Sequence, residues 1–81
     1  MYMCNHFQKN SSNTGYNSTA MATTNAISLL ACDSACRTLY ACVLYTFNIA
    51  LGCNMYKETD FSLVYAEPNT ELWTLQQRKY C

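Results

Sequence analysis

The chain has 81 residues, 51% of them apolar and 12% charged, with five basic side chains balanced by five acidic ones. Against a usual charged share of about 25% this is sparse, and Lys9, Arg37, Lys57, Arg78 and Lys79 are too scattered to line a phosphate backbone, which argues against nucleic acid as a partner. The longest apolar stretch, Ala41 to Cys53, contains Thr46 and Asn48 and is well short of the ~20 apolar residues that span a bilayer, so no membrane span is expected.

Six cysteines, at positions 4, 32, 36, 42, 53 and 81, are an even number in a chain with room for one modest core. Such a domain needs staples, and disulfides persist only in oxidising surroundings, so the expectation is a single secreted domain over residues 1–81. Met1 to Phe7 lacks a basic region followed by an apolar run, so no signal peptide is visible; a removed leader, or a Met1 added for expression, fits that.

Residues 8–25 are rich in Asn, Ser and Thr and read as a long exposed loop. Two N-x-[ST] tripeptides lie in it, beginning at Asn10 and Asn17, and a polar surface segment of a secreted chain is where N-glycosylation can occur. From Asn25 the period changes. Ile27, Leu30, Ala31, Ala35, Thr38 and Leu39 recur at three- and four-residue steps beside Cys32 and Cys36, which predicts a helix over about 26–39, capped by Asn25 or Ser28. Asp33 and Arg37 stand four apart, the spacing of an exposed ion pair. Cys32 and Cys36 share one helix face and cannot easily bond to each other, which leaves Cys42 and Cys53 as their natural partners.

The period then becomes two. A central strand is predicted over 42–48, with Val43, Tyr45 and Phe47 on one face and Cys42, Leu44 and Thr46 on the other. If Cys42 bonds to the helix, its face should look at the helix and the Tyr45 face elsewhere. A second strand is expected over 53–58, after a hairpin connection from Asn48 to Gly52. Ser62 to Ala66 reads as a short strand closed off by Pro68 and Asn69, and 71–81 as a last strand whose terminal Cys81 would reach back to Cys4.

The run Cys32-Asp-Ser-Ala-Cys36-Arg-Thr-Leu-Tyr-Ala-Cys42-Val-Leu-Tyr-Thr-Phe47, continued by Gly52-Cys53-Asn-Met-Tyr56-Lys, resembles the PAN/apple module, with its C-x3-C-x5-C spacing and a fourth cysteine about ten residues on. Cys4 and Cys81 resemble the bracketing pair of the six-cysteine apple form, so the likeness covers essentially the whole chain except the polar segment before the helix. It implies an α+β fold, a small antiparallel β-sheet cradling one α-helix, and the disulfides Cys32–Cys53, Cys36–Cys42 and Cys4–Cys81. In the chain-entropy model a Cys32–Cys53 loop contributes roughly 3 kcal/mol and a Cys4–Cys81 loop roughly 4.5, sharing part of the same entropy.

Catalysis has little to stand on. His6, the sole histidine, lies two residues from Cys4, and a disulfide-bonded cysteine offers no thiolate. Glu58, Asp60, Glu67 and Glu71 occur singly beside turns without an acid/base pairing. The cysteine spacing is not that of zinc knuckles, so neither metal nor cofactor is expected. Apple-like modules are extracellular binding domains for carbohydrate or protein, often in tandem within a longer parent, and the resemblance implies that role here. Seven tyrosines and Trp73 exceed what so small a core can hide, which makes Tyr45, Tyr56, Tyr65 and Trp73 the expected ligand-facing residues. A stand-alone secreted signal or effector, pheromone-like or host-directed, is the second expectation.

Overall fold

The computed structural model describes residues 4–25 and 27–78. In chain order these form strand β1 (Cys4–Tyr16), strand β2 (Ala22–Thr24), helix α1 (Leu29–Thr38), strands β3 (Leu44–Asn48) and β4 (Gly52–Tyr56), a single 3-10 turn (Phe61–Leu63) and strand β5 (Val64–Arg78). The five strands make one antiparallel sheet in the order β1-β5-β3-β4-β2, and α1 packs on one of its faces.

β3 is central because its side chains are apolar or small on both faces, and all five of its residues are buried. Tyr45 lies opposite Met55 on β4 and Trp73 on β5, and Phe47 lies opposite Cys53. These side chains, with Phe7, Cys32, Cys36 and Cys42, build the core between sheet and helix. Leu44, Tyr56, Leu72 and Tyr16 build a second, smaller core on the other face, flanked by Ala20 and Leu63. The Tyr45 face therefore looks at the helix, not the Cys42 face as the alternation predicts. The reason is local: Cys42 precedes the first residue of β3 and reaches Cys36 from a turn, so it is outside the period-two count.

The helix starts at Leu29, with Ser28 as N-cap accepting the Ala31 N–H at 3.2 Å. Its buried face is Cys32 and Cys36, with Leu29, Ala35 and Leu39 packed beside them. Ile27 and Leu30, expected on that face, are 85% and 76% exposed. Ile27 precedes the helix, and Leu30 is two residues from Cys32, about 200° around the axis. The two cystines choose the face, and Leu30 is on the other side.

Among the described residues two disulfides anchor the helix: Cys32–Cys53 bonds α1 to β4, and Cys36–Cys42 closes the turn between α1 and β3. The Cys4–Cys81 pairing lies outside the described residues.

The polar segment 8–25 is not a long loop. Its first half continues β1, antiparallel to β5 from Cys4 opposite Arg78 to Tyr16 opposite Val64, and Ala22–Thr24 forms β2. Asn, Ser and Thr lack the alternation that marks a strand, but at a sheet edge one side of the backbone is paired while the other is solvated, so partner β5 decides. β5 likewise unites the two strands expected over 62–66 and 71–81 and passes through Pro68. Thr14 lies opposite Ala66 and Ser12 opposite Glu71, so residues 67–70 bulge out against Asn13 alone. A proline fits where the ladder makes no demand on its nitrogen. Asn69 and Asn13 there have positive φ, and the Asn69 N–H donates to Asn13 Oδ1 at 3.0 Å.

Candidate functional site

The four aromatic residues expected to face a ligand do not share a surface. Tyr45 is fully buried, its ring stacked at 6.1 Å on Trp73 and met edge-on by Phe7 at 5.0 Å. Its hydroxyl donates to Asp33 Oδ2 at 2.8 Å, while Asp33 Oδ1 accepts from Arg37 Nε. Burial, reinforced by the hydrogen bond and negative charge of Asp33, pushes the Tyr45 phenol well above its ordinary value. Tyr56 is buried on the opposite face, edge-on to Tyr16 at 4.7 Å, and burial raises its phenol too. Both are core residues because β3 and β4 are covered on both faces, which corrects their reading as ligand-facing.

Trp73 is half-buried and packs against the helix-side core, with its indole N–H donating to Glu71 Oε1 at 3.1 Å. Tyr65 is 45% exposed; its ring covers Gly15, and its hydroxyl donates to Glu67 Oε2 at 2.8 Å. Both glycosylation candidates are exposed. Asn10 sits where β1 shifts register and accepts from the Thr74 hydroxyl, and Asn17 follows the end of β1.

Three exposed aliphatic side chains, Ile27, Ile49 and Leu51, come together near the start of the helix, while Met21, Tyr40, Phe61, Val64 and Tyr65 are exposed elsewhere. Ile49 and Leu51, in the turn between β3 and β4, are 74% and 66% exposed, and with Ile27, Asn25, Ala50 and Gly52 they line a shallow groove of about 230 Å³. Leu30, in the first turn of α1, is exposed as well. Asn48 holds the turn rigid. Its Oδ1 accepts the N–H groups of Ala50 and Leu51 at 2.8 and 3.1 Å, and its Nδ2 donates to Thr70 Oγ1 and Pro68 O at 2.9 and 3.3 Å. The bulge of β5 thus props the turn. Gly52 closes it with φ of 97°, where a Cβ would stand 2.7 Å from the Thr24 carbonyl oxygen.

At the other end of the helix a cleft of about 580 Å³ opens between Phe7, Arg37, Leu39, Val43 and Leu75, beside the Cys36–Cys42 bond. Tyr40 borders it and is 93% exposed, followed by Ala41 at φ 69°. The guanidinium of Arg37 lies 5.4 Å from the centre of the Phe7 ring, within cation–π range.

Ile27 and Leu30 were expected on the buried face of the helix, and neither Tyr40 nor the pair Ile49 and Leu51 carries the strand-aromatic signal of the expected ligand-facing residues. The signal available in the sequence is Ile49-Ala50-Leu51 standing in a hairpin connection, where polar residues are the rule. Among the described residues there is no cluster of three or more metal-ligating side chains and no helix long and apolar enough to cross a membrane. Compared with known protein families, characterised proteins and solved structures, the chain matches none of them. What stands is a small disulfide-bonded α+β domain, an antiparallel sheet packed on one helix.

Proposed function

We propose that the chain is an extracellular recognition module whose partner is a protein, met by the surface around Ile27, Ile49 and Leu51. The observation that carries this reading is the Asn48 turn: four hydrogen bonds to one buried side chain hold Ile49 and Leu51 in water. Exposed aliphatic groups on a rigid support gain by burial against another apolar surface, and little ordering entropy is lost on contact. Hydroxyl-rich sugars gain little from such a surface. Secretion is supported by the two buried cystines, which suit an oxidising compartment, and the apple-like spacing supports a binding role without catalysis. Asp33 is engaged by Arg37 and Tyr45 and so serves the fold. A carbohydrate partner is the second reading, favoured by Tyr40, which is exposed beside the helix-end cleft and offers a stacking face. A stand-alone effector would use the same surfaces.

The test is a binding survey of the purified chain against arrayed extracellular protein domains and arrayed glycans. On the protein-partner reading, Ile49→Asp with Leu51→Asp abolishes the protein signal while Tyr40→Ala leaves it intact. A signal confined to glycans and lost with Tyr40→Ala would replace that reading by the second.

A further inference from the structure

Of the two N-x-[ST] tripeptides, Asn17-Ser18-Thr19 has a setting in the fold that the other lacks. Tyr16, the last residue of β1, pairs with Val64, and the Asn17 N–H donates to Leu63 O at 2.9 Å, so the register runs one step further with Asn17 opposite Leu63. Ser18 Oγ donates to Glu58 Oε1 at 2.8 Å and holds the middle of the tripeptide, while Asn17 and Thr19 are exposed. Asn10-Ser11-Ser12 lies within β1 instead. Asn10 Oδ1 accepts from the Thr74 hydroxyl, and Ser11 and Ser12 are paired with Leu72 and Glu71, so folding withdraws that tripeptide and leaves the second one open. Resting on the extracellular reading above, we infer that Asn17 carries an N-linked glycan whose first sugar rests on the ring of Tyr65.

Strand alternation sets Asn17 on the face of Gly15, two residues back, and Gly15 lies opposite Tyr65. Asn17 and Tyr65 are thus diagonal neighbours on one face, a relation that puts Cβ atoms ~7 Å apart, within reach of a large group. The Tyr65 ring is held there. A Cβ on Gly15 would stand 2.6 Å from Tyr65 Cζ, so glycine lets the ring lie over the backbone, and the Tyr65 hydroxyl donates to Glu67 Oε2 at 2.8 Å. Even so, Tyr65 stays 45% exposed. A pyranose has a face of C–H groups, which gains by leaving water against an aromatic ring that is already ordered. The glycan comes from a lipid-pyrophosphate-linked oligosaccharide: Asn17 Nδ2 bonds to C1 of the first N-acetylglucosamine and gives up a proton, the bond from C1 to the phosphate oxygen breaks, and the lipid pyrophosphate leaves. Thr19 supplies the hydroxyl that the acceptor motif requires.

The test expresses the full chain behind a secretory leader in a glycosylating eukaryotic cell and reads its intact mass before and after an amidase that removes N-glycans and leaves aspartate. The mass should exceed that of the polypeptide by one glycan, the new aspartate should fall at position 17, and Thr19→Ala should remove the glycan. In proton NMR of the chain trimmed to its first sugar, the ring protons of that sugar should lie upfield of their place in an unfolded glycopeptide. Tyr65→Ala should abolish this shift, and Tyr65→Phe, which keeps the ring and loses the hydroxyl, should retain it. The trimmed chain should also melt about 4 °C above the same chain without sugar, a difference that Tyr65→Ala erases. A folded, secreted chain with no glycan on Asn17, or a Tyr65→Ala variant that keeps the sugar shift, overturns the inference. A chain glycosylated at Asn17 that binds nothing on the protein and glycan arrays would overturn the recognition reading alone, and a chain retained in the cell with free thiols would overturn the extracellular reading and the inference with it.

Discussion

Asp33 serves two donors at once, Arg37 through one oxygen and the buried Tyr45 hydroxyl through the other. Its position four residues before Arg37 predicts the first contact and not the second. Tyr45 gains a partner for its only polar atom, so the ring can sit in the core between Phe7 and Trp73 without leaving a donor unmade. The consequence is a pH dependence. An unfolded tyrosine ionises around its ordinary value of 10.0, and Tyr45 in the fold ionises higher. The stability this contributes is fully present below pH 10 and drains away as the pH rises further, by up to about 1.4 kcal/mol per pH unit for each such residue. Tyrosinate absorbance assignable to Tyr45 should appear only together with loss of the fold. Tyr45→Phe should cost about 1–2 kcal/mol in urea unfolding at neutral pH, and its stability should fall less steeply above pH 10 than that of the wild type.

At the level of elements, α1 is held by two disulfides with different leverage, one to β4 and one to the turn that leads into β3. Cys32–Cys53 spans 21 positions and Cys36–Cys42 spans 6. If lost unfolded-state entropy dominates, replacing Cys32 and Cys53 by alanine should cost about 1 kcal/mol more than replacing Cys36 and Cys42, and chemical denaturation of the two double variants measures the order. The β3–β4 turn depends on Asn48 in a different way. Asn48→Asp keeps the acceptor for Ala50 and Leu51 but sets an oxygen against Pro68 O and Thr70 Oγ1, where an N–H donated before. A loss of about 2–4 kcal/mol is expected at neutral pH, and thermal unfolding checks it. A loss no larger than that of an ordinary surface substitution would mean that the turn holds itself.

Across the whole molecule, the central hairpin and the helix were legible because their signals are local. Val43 to Phe47 alternates in a run of β-branched and aromatic residues, Gly52 marks the return, and Cys32 and Cys36 fall on one face of a helix whatever surrounds it. The exposed site was not legible, because the residues that compose it come from just before the helix and from a turn well beyond its end, and only folding brings Ile27 beside Ile49 and Leu51. The sequence by itself determined an α+β domain whose helix is stapled to an antiparallel sheet, since cysteine spacing and side-chain period are properties of neighbouring residues. Tertiary structure alone decided that the polar segment after Cys4 is an edge strand, that β5 runs through Pro68, that Leu30 faces water and Tyr45 the core, and which apolar side chains remain for a partner. Each of these turns on what lies across a sheet ladder or beneath a helix, and a strand's hydrogen bonds and a side chain's burial are made with residues far away in the chain.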